Sequence, residues 1–125
     1  MAEKKQFVEA FKDRTKKFAI EVLKLCDEMP VNKTSTRTIS SQLGRSADST
    51  AANYRAACIS RSDKDFYSKL SITIEEADES NLWLEIIEEG EFHSVLNKIE
   101  KLKNESEEIY KTLSKARTTL KNRLE

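Results

Sequence analysis

Between Phe92 and Leu124 the chain reads FHSVLNKIEKLKNESEEIYKTLSKARTTLKNRL, and nine positions in it decide the fold: Val95, Ile99, Leu102, Ser106, Ile109, Leu113, Ala116, Leu120 and Leu124. Apart from the last, their steps alternate between four and three residues, which keeps one stripe of a helix facing the same neighbour over many turns. A strand, with its period of two, would scatter them over both faces. The stretch predicts a helix from about residue 92 to 124 whose seam packs at shallow crossing angles of roughly 20°. Ser106 and Ala116 are the weak points of that seam.

Three earlier stretches carry the same kind of pattern. The first predicted helix runs from about Glu3 to Met29 with Phe7, Phe11, Phe18, Val22, Leu25 and Met29 on one stripe, and Pro30 ends it. The second, about residues 36–58, places Ile39, Leu43, Thr50, Tyr54 and Ala57 on its core face, with Ser35 or Thr36 available as a cap. The third, about residues 63–89, is capped by Ser62 with Asp65 three residues on and carries Phe66, Leu70, Thr73, Ala77 and Leu84. Gly90 is expected as its left-handed cap residue. Short connections predict an all-α, antiparallel up-down-up-down four-helix bundle, one domain over residues 1–125.

The second and third helices also carry a second, weakly charged stripe. On one it is Gln42, Ser46, Ser49, Asn53 and Ala56, small or amide side chains that admit a close neighbour. On the other it is Ile72, Glu76, Glu79, Trp83, Ile86 and Ile87, apolar residues crossed by carboxylates. A solitary subunit has little reason to show tryptophan and isoleucines to water. These stripes therefore predict self-association, with Gln42, Arg45, Ser46, Ser49, Asn53, Ile72, Glu76, Glu79 and Trp83 at the contact. Glu76 and Glu79 are expected to pair with Arg45 or Arg55 of a neighbouring helix, the alternative being that these arginines face a phosphate.

Composition agrees with an all-helical chain of 125 residues: there are only two glycines and one proline. Cys26 and Cys58 show no pairing motif and Met1 to Gln6 is polar and charged, so free thiols in a reducing cytoplasm are expected. No apolar run approaches the roughly 20 residues that cross a bilayer. Net charge is zero but unevenly placed. Residues 65–92 hold one basic and nine acidic groups, whereas 34–64 hold five and two and 93–125 hold eight and five. An acidic helix among basic ones is most simply matched by its neighbours.

Chemistry is hard to assemble from these residues. Bundles that hold two metals use Glu-x-x-His on two helices. Here His93 is the only histidine, reads as a solvated residue at a helix start, and has Gly90 three positions before it. The run Glu75, Glu76, Asp78, Glu79 lacks the glycine turn of a calcium loop. Neither cysteine has a histidine nearby in the pattern to serve as a base. No cofactor, metal or catalytic residue is expected, and the chain reads as a non-enzyme. The competing function is RNA or DNA binding through Arg37, Arg55, Arg61, Lys101 and Lys115, on basic segments that flank the acidic one.

The runs Gln42-Leu43-Gly44-Arg45-Ser46-Ala47-Asp48-Ser49 and Ala52-Asn53-Tyr54-Arg55-Ala56-Ala57 resemble the bacterial four-helix bundle proteins encoded by intervening sequences of 23S ribosomal RNA genes. The likeness continues through Lys69-Leu70-Ser71-Ile72, Glu75-Glu76-Ala77-Asp78-Glu79-Ser80 and Trp83-Leu84-Glu85, over some forty residues. It implies a left-handed antiparallel bundle that assembles as a homopentamer, with no established activity. A more distant likeness is to the accessory variability protein of diversity-generating retroelements, a pentameric barrel that binds a reverse transcriptase and nucleic acid. Many relatives read Asn-Ile-Ala-Glu-Gly where this chain has Asn53-Tyr54-Arg55-Ala56-Ala57, so no role of that Glu or Gly carries over.

Overall fold

The computed structural model describes residues 2–94 and 96–125, with side chains from residue 5 onward except that of Leu96. It consists of four helices: α1 (Ala2–Asp27), α2 (Thr34–Cys58), α3 (Asp63–Gly90) and α4 (Leu96–Leu124). Among the described residues there is no strand. Helices consecutive in the chain pack along their lengths, α1 and α4 approach only sparsely, and among the described residues no Cα of α1 comes within 8 Å of one in α3.

The core collects the stripes read from the sequence. Phe18, Val22 and Leu25 of α1, Ile39, Leu43 and Tyr54 of α2, Leu70, Ala77 and Leu84 of α3, and Ile99, Ile109 and Leu113 of α4 are all buried in one cluster. Fully burying one such leucine or isoleucine is worth about 1.5–3 kcal/mol, so these side chains dominate what holds the helices together. Phe7, expected on the α1 stripe, instead lies outside the core, stacked on Phe11 with ring centroids 5.9 Å apart. Val95 of the expected α4 seam lies outside the described residues.

α3 departs most from its reading, for a physical reason. It packs against α2 on one side and α4 on the other, so its buried arc is broad and includes Ile74, Ser80, Asn81 and Ile87 besides the expected stripe. Ile87 therefore belongs to the core and not to an outer flank. Trp83 and Ile86, placed on that flank too, are half-buried and pack against the core.

Polar pairs mark the two contacts of α3. Toward α2, Ser46 Oγ and Ser80 Oγ are 2.9 Å apart, and each hydroxyl also reaches a backbone carbonyl of its own helix, Leu43 and Glu76. Toward α4, buried Ser106 donates to the Oδ1 of buried Asn81. Ser106, the polar break in the α4 seam, thus has its partner in the core.

The helix ends differ from expectation in four places. α1 ends at Asp27, and Glu28 and Met29 close it with bonds from their N–H groups to Leu25 O (3.0 Å) and Cys26 O (3.1 Å). α2 starts at Thr34 with Lys33 as its N-cap and no side-chain cap, because Thr36 Oγ1 donates to Pro30 O at 2.5 Å and ties down the linker. At the end of α3 the left-handed residue is Glu91 (φ 54°), not Gly90. Glu91 N–H bonds Glu88 O and Phe92 N–H bonds Ile87 O at 3.0 Å, a Schellman closure. That closure turns the chain out of the helix, so α4 begins at Leu96 and not near Phe92. The Ser62 cap is as read, its Oγ accepting from Asp65 N–H at 3.1 Å.

Candidate functional site

The residues expected at an association surface fall into three groups. Gln42, Arg45, Glu76, Glu79 and Trp83 form one network on the outside of the α2–α3 contact. Arg45 Nη1 donates to Glu76 Oε2 at 3.2 Å and Nη2 to Glu79 Oε2, while Gln42 Oε1 accepts from Arg45 Nε at 3.5 Å. The Trp83 indole N–H donates to the same Glu79 oxygen at 3.4 Å. The carboxylates hold the Arg45 guanidinium firmly in its charged form, the Glu79 hydrogen bond most. The pairing expected between neighbouring helices is thus made by Arg45 within the chain, and Arg55 takes no part in it.

The second group is spent inside the molecule. Ser46 is fully buried between α2 and α3, and Asn53 Nδ2 donates to Ser49 O (2.8 Å) and Ser49 Oγ (2.9 Å) along α2 itself. The third is Ile72, which stays 45% exposed on α3. Leu82, on the same helix and 49% exposed, was not anticipated.

A second exposed apolar pair lies on α1 beside α2, in a groove otherwise lined by alanines and by the charged Glu9, Lys12, Asp13, Lys16, Asp48 and Arg55. Ile20 (43% exposed) and Leu23 (44%) border this groove of about 520 Å³, whose far wall includes Ala51, Ala52 and Arg55. The signal for it was an isoleucine–leucine pair three apart in α1, off the main stripe and beside Ala19. Among the described residues the backbones of α1 and α3 do not approach within 8 Å, so Ile20 and Leu23 are set apart from Ile72 and Leu82, which themselves stand ten residues apart on α3.

The basic residues singled out for nucleic acid divide between the two ends of the molecule, Arg55, Arg61 and Lys115 toward the α2–α3 loop and Arg37 and Lys101 toward the opposite end. Arg37 sits at the start of α2, about 27 Å along the helix from Arg55 at ~1.5 Å per residue. Lys101 lines the groove between α1 and α4, whereas Arg61 lies in the α2–α3 loop and Lys115 toward the end of α4.

Groups that could do chemistry are occupied or shielded. Burial pushes the Cys26 thiol up to about 11, and its Sγ donates to Ser40 O at 3.3 Å. Burial raises Cys58 as well. His93, expected in solvent, is largely shielded, with its Nε2 2.9 Å from Glu28 Oε2, an oxygen neighbour of the one that accepts from Lys98 Nζ at 2.6 Å. Among the described residues no group of three or more His, Cys, Asp or Glu side chains could hold a metal ion, and no helix is long and apolar enough to cross a membrane.

With four helices and this α2–α3 contact in view, the sequence profile of the 23S rRNA-intervening sequence proteins matches residues 10–115. The chain belongs to that family. A solved structure shares the fold: a protein of unknown function from the S23 ribosomal protein family of Bacteroides thetaiotaomicron VPI-5482 is 32% identical, with a TM-score of 0.79. The match covers 89% of this chain and 97% of that one. No curated protein matches the chain. Within this 23S rRNA-intervening sequence protein, the profile spans both candidate surfaces and stops ahead of the last turns of α4.

Proposed function

We propose that the protein is a non-enzymatic, cytoplasmic scaffold: an antiparallel, left-handed four-helix bundle that associates with copies of itself into a closed ring of five. The observation that carries this reading is that large apolar side chains are exposed on two helices that are not adjacent, Ile20 and Leu23 on α1 and Ile72 and Leu82 on α3. A two-fold dimer uses one self-complementary patch, whereas a ring joins two different patches, each subunit giving one to each neighbour. The number five comes from the resemblance of the α2–α3 sequence.

An antiparallel course is supported by cross-helix partners that run in opposite directions: Glu88 meets Lys103, and Asn81, earlier in α3, meets Ser106, later in α4. The thiols, raised by burial, support a role without catalysis.

Light scattering on the eluting protein at micromolar concentration tests the ring. A mass of five 14.4 kDa chains is expected. Leu23→Glu on one surface and Leu82→Glu on the other should each dissociate it to monomers that remain helical, and a wild-type monomer would refute the proposal.

A further inference from the structure

We propose that the end of the molecule built around the α2–α3 loop is a docking face for the phosphate backbone of a nucleic acid. Two contacts and one loop bring the relevant segments together. Phe11 of α1 meets Tyr54 of α2 edge-on at 4.8 Å, the four-residue loop carries α2 into α3, and Arg123 of α4 reaches Asp63 at 3.6 Å.

The segments gathered there, residues 5–13, 51–75 and 111–125, hold eleven basic and six acidic groups. Residues 14–50 and 76–110 hold ten basic and fifteen acidic groups. A chain with no net charge is thus a strongly polarised object, with an excess of five positive charges at one end.

Pairing sharpens the contrast. Away from this end most cations are already neutralised by a carboxylate: Arg14 by Glu105, Lys24 by Glu21, Arg45 by Glu76 and Glu79, Lys98 by Glu28, and Lys103 by Glu88. At the loop end Arg55, Arg61, Lys64, Lys115, Arg117 and Lys121 make no ion pair or side-chain hydrogen bond among the described residues. The carboxylates beside them, Asp63 and Asp65, are engaged by Arg123 and Lys69. Cations without partners attract a polyanion at no cost in broken pairs, and each phosphate they neutralise releases a counterion.

Composition favours phosphate over an acidic protein. Lysine is depleted from protein–protein contacts, which need an apolar centre, whereas lysine and arginine spread over a surface are the usual contacts to a sugar–phosphate backbone. The cations come from three helices and the loop between two of them, so no single element would present them to base edges. Binding is therefore indifferent to sequence.

The test is fluorescence anisotropy of labelled mixed-sequence RNA and DNA, single-stranded and duplex, titrated with the full chain from about 50 mM salt upward. Binding is expected to weaken with salt at a double-logarithmic slope of about −3, that of three or more neutralised phosphates. The triple variant Arg61→Glu, Lys64→Glu, Lys121→Glu should lose affinity by about tenfold or more. The triple variant Lys33→Glu, Arg37→Glu, Lys101→Glu changes net charge equally but lies at the other end, and should stay within about threefold. All six positions are exposed, and circular dichroism verifies that both variants are folded. No binding at low salt, equal losses in the two variants, or displacement by polyglutamate as readily as by unlabelled RNA would each overturn the proposal.

Discussion

Phe92 lies so close over Gly90 that a Cβ at position 90 would run into its ring. Gly90 keeps ordinary helical geometry, and the strained residue is its neighbour Glu91, held at φ 54° and ψ 43°. The closure of α3 thus asks two positions for glycine and receives one. Gly90→Ala should cost about 1–3 kcal/mol by forcing Phe92 off the core, as overpacking does. Glu91→Gly should stabilise by up to about 1 kcal/mol, because a left-handed conformation is free of side-chain penalty only for glycine. Urea denaturation of the two variants checks both signs.

The two serine contacts of α3 should behave oppositely. Ser106→Ala leaves a buried oxygen of Asn81 without its donor and should cost about 1–3 kcal/mol. Ser46→Ala with Ser80→Ala removes both members of a pair that also bond their own backbones, and should change stability by less than about 1 kcal/mol. If the paired change cost more than Ser106→Ala, the α2–α3 contact would depend on those hydroxyls.

Leu43 is fully buried and Trp83 is only half covered. Leu43→Asp puts an unpaired charge in the core and should unfold the subunit, seen as lost ellipticity. Trp83→Glu should leave most of the helicity and release monomers in sedimentation, since the rest of the indole and its Glu79 bond face the outside of the α2–α3 contact.

Gly44 has room for a methyl group: a Cβ there would meet Leu23 Cδ2 at 3.6 Å and Cys26 Sγ at 3.8 Å, ordinary contacts. Gly44→Ala should therefore raise stability by about 1 kcal/mol through helix propensity alone, read as a higher midpoint in urea.

Two pH windows follow from the shifted groups. Burial raises the Cys26 thiol from about 9 to about 11, so its contribution to stability is complete below pH 9 and is lost as the pH rises toward 11, when only the unfolded chain ionises freely. Cys26→Ala should flatten the fall in thermal midpoint across that window. Iodoacetamide at pH 8 should modify the folded thiol far more slowly than the denatured one. On the acid side Glu28 is held below the ordinary carboxylate range by its hydrogen bonds from Lys98 and, next, His93. Its contribution is present above that range and is lost as pH falls below it toward the depressed value of the folded state; Lys98→Met should reduce that loss.

Much of the architecture was legible because period is a property of one helix at a time. Val22, Leu43, Leu84, Ile99 and Leu113 are buried where a stripe of fours and threes puts them. A helical wheel cannot say how many neighbours a helix has, which is why Ile74, Asn81 and Ile87 of α3 escaped the reading and Ile87 was placed outside. The same blindness made Ser46 look like free surface. The Arg45–Glu76–Glu79 pairing was readable from residue types, since opposite charges on adjoining helices find one another. Which cations stay unpaired was not readable, because that depends on which carboxylate each side chain can reach once the helices are side by side.

The sparse contact between α1 and α4 leaves α1 attached along one flank, with the Arg14–Glu105 fork and the Glu28 cluster as clasps to α4. Regions held by fewer contacts open at lower free energy than the whole molecule. Backbone amides of α1 should accordingly trade protons for deuterons through partial detachment, while those of α2 and α3 must wait for complete unravelling. A protease would find its first foothold there too.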